Sequence, residues 1–148
     1  KKKYPDATLC MIGPEKDGSL AEAKLLAKTY NLDVTFTGKL SKKEWIGLSE
    51  NYNLFINTTH FDNTPVSVME AMALGLPVIS TNVGGIPYLL EDRVDALLID
   101  DAAVDQMVKA IELLCNDKDL VDVIRMNARK KVECFDWKVV KQTWKNVL

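Results

Sequence analysis

The chain has 148 residues, 47% hydrophobic and 27% charged, with a formal net charge of −2. That length can bury a substantial single-domain core, and the nearly balanced charge excludes a global field that would draw nucleic acid or an anionic membrane. The three cysteines (Cys10, Cys115, Cys134) are odd in number and far apart, and His60 is the only histidine. They fit neither a disulfide framework nor a metal-ligand spacing, and read as reduced thiols, two or more of them packed, in a cytosolic protein.

In chain order, KKKYPDA reads as a helix end turning into a strand, as though a βα unit stood upstream. TLCMIG (8–13) is a buried-strand candidate. Ser19 stands at an N-cap position, with Leu20, Ala23, Ala27 and Tyr30 at helical spacing after it. VTFTG ends a second strand at Gly38, and Ser41 with Glu44 three residues on is a capping box. LFINTT, PVIST and ALLID are further strands, separated by the helices PVSVMEAMALG and IPYLLED.

These strands are almost continuously apolar, as expected where helices cover both faces of a parallel sheet. The alternation predicts an α/β fold, a Rossmann-like doubly wound parallel sheet. After Asp100 the pattern is purely helical. One segment puts Val104, Met107, Val108, Ile111 and Leu114 on one face, and the last puts Trp137, Val140, Trp144 and Val147 along a stripe read as core. No linker or internal repeat interrupts residues 1–148, so they read as one domain with a helical tail. No apolar run is long enough to span a bilayer.

The helix at 66–74 is apolar almost all round yet carries Glu70, with Asp62 in the loop before it. An unpaired buried carboxylate costs several kcal/mol, so compensation is expected. Pro65 fits the first helical position, with Thr64 as its cap. The helix start follows a strand directly, and in open α/β sheets ligands bind beyond the carboxyl ends of strands. There the N–H groups of Val66 and Ser67 and the positive end of the helix dipole would hold a phosphate. Ser67 and Glu70 share a helix face, and Glu70 lies about 7 Å along the axis at roughly 1.5 Å per residue. Ionised carboxylates accept hydrogen bonds only, which suits sugar and ribose hydroxyls. The ligand that fits is sugar–diphosphate–ribose–base.

The run Asp62-Asn63-Thr64-Pro65-Val66-Ser67-Val68-Met69-Glu70-Ala71-Met72-Ala73, followed by GLPVIS and VGG, resembles the signature of family-four (group 1) retaining glycosyltransferases of GT-B fold. The resemblance implies that Glu70 binds the nucleotide ribose and Asp62 the transferred sugar, these two being its catalytic-site acids. It implies that Asn63, Thr64, Pro65, Val66 and Ser67 hold the phosphates and that Gly38, Lys39 and Leu40 line the base pocket. The substrate it implies is a nucleotide-diphosphate sugar, UDP- or GDP-linked, used without a cofactor or an obligatory metal. The family's acceptor-binding N-terminal domain, and its Gly-Arg…Lys segment, have no counterpart here.

The chain thus resembles the truncated C-terminal half of a hexosyltransferase-type enzyme of polysaccharide biosynthesis, inactive alone. Its implied setting is the cytoplasm, with peripheral membrane association of the parent at the inner face, and with no nucleic-acid partner. Asp62 replaces the family's usual Glu, Tyr88 stands where many members have Glu, and EDRVDALLID lacks the usual Asp-Gly…Gly pattern. A nucleotide-sugar epimerase and a non-catalytic flavodoxin-like domain are the alternatives. A Ser–His–Asp hydrolase built on His60 lacks its nucleophile elbow.

Overall fold

In the computed structural model, which describes residues 3–147, parallel strands alternate with helices and a helical tail closes the chain. The residues fall into two compact units, 1–48 and 49–148. Lys1 and Lys2 of the expected upstream helix end lie outside the described residues, while Tyr4–Ala7 form the expected turn, closed by Ala7 N–H donating to the Tyr4 carbonyl at 3.2 Å.

In the first unit, β1 (Leu9–Ile12) pairs in parallel with β2 (Val34–Gly38), joined by α1 (Ser19–Thr29). Ser19 does not cap α1. It is the first helical residue, and Gly18 is the N-cap at φ 89°. Capping falls instead to Glu15, whose carboxylate accepts the N–H groups of Lys16, Asp17, Gly18 and Leu20 at 2.7–3.1 Å. The glutamate is long enough to fold over the whole turn, which a serine hydroxyl cannot do. These amides hold the Glu15 carboxyl below its ordinary value, the Gly18 N–H contributing most. At α2 (Lys42–Ser49) the capping box forms as expected: Ser41 N–H and Oγ donate to Glu44 at 2.7 and 2.6 Å, and Glu44 N–H returns to Ser41 Oγ at 3.3 Å. Leu20, Ala23 and Ala27 are half-buried, but Tyr30 is exposed.

The second unit holds β3 (Phe55–Asn57), α3 (Val66–Ala73), β4 (Val78–Thr81), α4 (Ile86–Leu89) and β5 (Leu97–Ile99). They are followed by α5 (Val104–Asn116), α6 (Lys118–Glu133) and α7 (Trp137–Val147). Its parallel sheet runs β3–β4–β5, with β4 buried at every position. All five expected strands therefore form and are parallel, but as a pair and a triplet rather than one continuous ladder. Ile79, Leu97 and Ile99 pack with Ala110 and Leu114 of α5 and Ile124 of α6.

The α5 face differs from expectation. Val104 and Val108 are 72% and 48% exposed, because Met107, Ala110, Ile111 and Leu114 turn toward the sheet instead. The α7 stripe is not core: Trp137, Trp144 and Val147 are 68%, 58% and 73% exposed, and Val140 is only half-buried. Amphipathic spacing shows that a helix has an apolar side, not that this chain covers it. Nor are two of the thiols packed inside: Cys10 is half-buried, Cys115 is exposed on α5 and Cys134 is exposed at the C-cap of α6.

Helix α3 ends in a glycine cap. Gly75 takes φ 76°, its N–H donates to the Met72 carbonyl at 3.1 Å, and Leu76 N–H reaches Ala71 at 3.0 Å. Two cations from α6 serve the same end: Arg125 Nε donates to the Gly75 carbonyl at 2.8 Å and Arg129 donates to Ala73. The negative pole of the α3 dipole is thereby compensated. Asp95, 1% exposed, accepts the Glu91 N–H at 2.8 Å and pairs with Lys131, which also donates to the Leu89 carbonyl.

Candidate functional site

The other end of α3 is arranged differently. Pro65 is the N-cap (φ −68°, ψ 107°) rather than the first helical residue, and Thr64 makes no capping bond. Proline fixes its own φ but leaves ψ extended here, so the helix begins one residue later, at Val66. The Pro65 carbonyl accepts from Val68 at 3.1 Å and Met69 at 3.3 Å. The N–H groups of Val66 and Ser67 have no acceptor among the described residues. Val68, Ala71 and Met72 are fully buried, whereas Val66 and Ser67 are exposed and Glu70 is half-buried, one turn into the helix. The helix is thus buried along one face, with Ser67 on its open side and Glu70 at the border.

The loop from β3 to α3 is anchored at several points. Thr81 Oγ donates to the Thr59 carbonyl at 2.6 Å, and Asn57 Nδ2 donates to the buried Ser80 Oγ at 3.0 Å. His60 Nδ1 lies 2.6 Å from Asp101 Oδ1, tying this loop to the one after β5. Gly85 N–H donates to the Asp62 carbonyl at 2.7 Å. A Cβ on Gly85 would sit 1.8 Å from the Asn63 carbonyl oxygen, and one on Gly84 (φ 55°) 2.3 Å from that of Asp62. The two glycines are therefore needed so that the turn after β4 can lie against the acid-bearing loop. Asp62 itself is half-buried.

The second unit brings Asp62, Asn63, Thr64, Pro65, Val66, Ser67 and Glu70 together on one strand–loop–helix segment. Gly38, Lys39 and Leu40 belong to the first unit, at the end of β2, where Gly38 takes φ 68° and accepts the Gly13 N–H at 3.0 Å. Sequence reasoning treated Gly84–Gly85 as a turn and missed its contact with the loop; the short strand before it, ending at Thr81, was the available signal. It missed the Thr81 and Asp101 anchors because nothing in their spacing announces a partner.

Comparison with known proteins decides the family. The profile of "Glycosyl transferases group 1" matches residues 1–131. The chain belongs to that family. An uncharacterized glycosyltransferase of Haemophilus influenzae is 28% identical over 153 residues, covering 99% of this chain and 41% of the relative. Among solved structures, sucrose-phosphate synthase from Thermosynechococcus elongatus superposes with a TM-score of 0.86 at 22% identity, over 98% of this chain and 38% of that one. Anabaena Alr3699/HepE, solved in complex with UDP-glucose, gives 0.78 at 21% identity, over 95% of this chain and 42% of that one. The α/β architecture is thus that of GT-B glycosyltransferases, and this group 1 chain spans about two fifths of the length of these proteins. The epimerase and flavodoxin-like alternatives are set aside.

Proposed function

We propose that this group 1 chain is the nucleotide-sugar-binding half of a retaining hexosyltransferase whose acceptor-binding domain lies elsewhere in a longer protein. The observation that carries the reading is the start of α3. The N–H groups of the exposed Val66 and Ser67, which have no acceptor among the described residues, stand beside the loop holding Asp62, with Glu70 one turn further on.

Those amides and the positive helix pole would stabilise the charge growing on a departing diphosphate as the glycosidic bond breaks. Glu70 would accept the ribose hydroxyls and Asp62 those of the sugar. Asn63, Thr64 and Pro65 would shape the phosphate side, and Gly38, Lys39 and Leu40 the base side. In this reading the charge is met by amides and basic side chains, with no obligatory metal. The nucleotide is UDP or GDP; the HepE structure, itself a UDP-glucose complex, supports a uridine nucleotide. Residues 1–148 would act as one domain, in the cytoplasm, with the parent enzyme peripheral to the inner membrane face in polysaccharide biosynthesis.

Saturation-transfer NMR of the chain with a panel of UDP- and GDP-sugars tests this. Contacts strongest on ribose and sugar protons, with no sugar transfer by the isolated chain, are expected. Absence of saturation on any nucleotide would end the proposal.

A further inference from the structure

Helix α6 grips two segments of the second unit, each by the end remote from the acids. On one flank, Arg125 Nε donates to the Gly75 carbonyl at 2.8 Å and Arg129 donates to that of Ala73, both at the C-terminal end of α3. On the other flank, Asn127 Nδ2 donates to the Val94 carbonyl at 2.9 Å and Lys131 Nζ to that of Leu89 at 3.1 Å. Lys131 also pairs with the buried Asp95. Leu89 is the last residue of α4, and Gly85, just before α4, donates to the Asp62 carbonyl. Each pair of donors is spaced i, i+4 and so shares a face. The two pairs are offset by two residues, which at 3.6 residues per turn puts them on nearly opposite sides of the helix. Ile124 and Ala128, both fully buried, run between them.

We infer that α6 braces the donor site, with Arg125, Arg129, Asn127 and Lys131 as positioning residues that set Glu70 and Asp62 relative to one another; the inference rests on the nucleotide-sugar reading of the α3 start. All four donors end on main-chain carbonyls, so they fix the backbone of the segments they reach. Both segments are short and stiff. Helix α3 has eight residues, about 12 Å at 1.5 Å per residue, so a tilt at its Ala73–Gly75 end reappears at Val66 and Glu70. Helix α4 has four, about 6 Å, between the Leu89 carbonyl and the Gly85 N–H that holds Asp62. One acid therefore answers to the arginine flank and the other to the lysine flank. Arg125 and Arg129 are exposed, and exposed charges contribute little to stability. What they supply, from one rigid helix onto two neighbouring carbonyls, is direction.

The test is amide hydrogen exchange and calorimetry on the 148-residue chain in two double variants. One is Arg125→Gln with Arg129→Gln. The other is Lys131→Met with Asp95→Asn, the second change removing the charge that the first would strand. A merely local role would loosen only the amides beside the lost contacts, Gly75 and Leu76 in the arginine variant and Leu90 in the lysine variant. Positioning reaches further. The arginine variant should also lose protection at Val68 and Met69, the first bonded amides of α3, and the lysine variant at Gly85. Each loss should be about two- to tenfold, the range for one hydrogen bond. With UDP-glucose, UDP, GDP-mannose and GDP as probes, the lysine variant should lose affinity for the nucleotide sugar more than for the bare nucleotide, and the arginine variant for both alike. Unchanged protection at Val68, Met69 and Gly85, or an equal loss along β4, overturns the inference. So does a lysine variant that keeps the unsubstituted chain's preference for nucleotide sugar over nucleotide. The arginine variant alters only exposed side chains, so it decides the matter even where the lysine variant does not fold. The expected exchange pattern in a chain that binds none of the four probes defeats the nucleotide reading and leaves the brace in place.

Discussion

The Gly85 N–H donates to the carbonyl of Asp62 across 2.7 Å, and no side chain fits between the two backbones. Gly85→Ala should push the Asn63 carbonyl aside and move Asp62 with it. Overpacking of this kind costs roughly 1–3 kcal/mol, readable as a lowered urea midpoint. On the proposed reading, saturation transfer to the donor sugar should then fall more than transfer to its ribose, since Asp62 moves and Glu70 does not.

Val66→Pro isolates the contribution of one amide. Pro65 already holds ψ at 107°, which a following proline accepts, and the first helical position tolerates proline. The substitution deletes an N–H that serves no hydrogen bond among the described residues. A hydrogen bond to a charged group is worth about 1.5–3 kcal/mol, so, if the amide holds a phosphate as proposed, calorimetry should show nucleotide affinity reduced roughly ten- to a hundredfold. Thermal stability should shift by no more than about 0.5 kcal/mol.

Glu70→Gln keeps one carbonyl oxygen but would lose the charge-assisted bonds to ribose that the proposed function assigns to Glu70. Its expected loss in nucleotide affinity is also on the order of ten- to a hundredfold. An unchanged calorimetric affinity would remove Glu70 from the site.

Lys131→Met should be among the most damaging changes away from the site. It strands Asp95, 1% exposed, with a single N–H for company. Breaking one side of a buried pair costs about 3–5 kcal/mol. Denaturant unfolding would measure it, and adding Asp95→Asn should recover part of the loss.

Acid should loosen the first turns of α1 and α2 before the sheet. Glu15 is held below its ordinary 4.5 chiefly by the Gly18 N–H, and Glu44 chiefly by the Ser41 hydroxyl. A depressed folded value means the stabilisation is complete above about 4.5 and drains away as pH falls through the lowered values. Protection of the amides at 16–20, measured against intrinsic exchange at each pH, should fall in that window, and Glu15→Gln should remove this fall.

Much of this was legible in the residues. The Ser41–Glu44 pair predicted a cap that forms, because both partners lie within one turn. The strand–loop–helix carrying Asp62 and Glu70 was readable because local spacing determines it. What failed depended on distant partners. Ser19 lost its role to Glu15, which reaches over the turn, and α5 turns Ala110 rather than Val104 and Val108 toward the sheet. The Trp137–Trp144 stripe is apolar in sequence, but spacing cannot say what faces it. The groove shared by Asn63, Thr64, Gly85, Tyr88, Leu89 and Phe135 was invisible, its residues being far apart along the chain.

Strand β4 has no exposed position, and both Thr81 and the Gly84–Gly85 turn hang the Asp62 loop from its end. Ligand loops usually belong to the least protected parts of a fold. Here the loop is tied to the innermost strand, so its amides should exchange more slowly than those of an untethered loop. In mild denaturant, the peripheral helices should fray while the Asp62 loop keeps its place on β4.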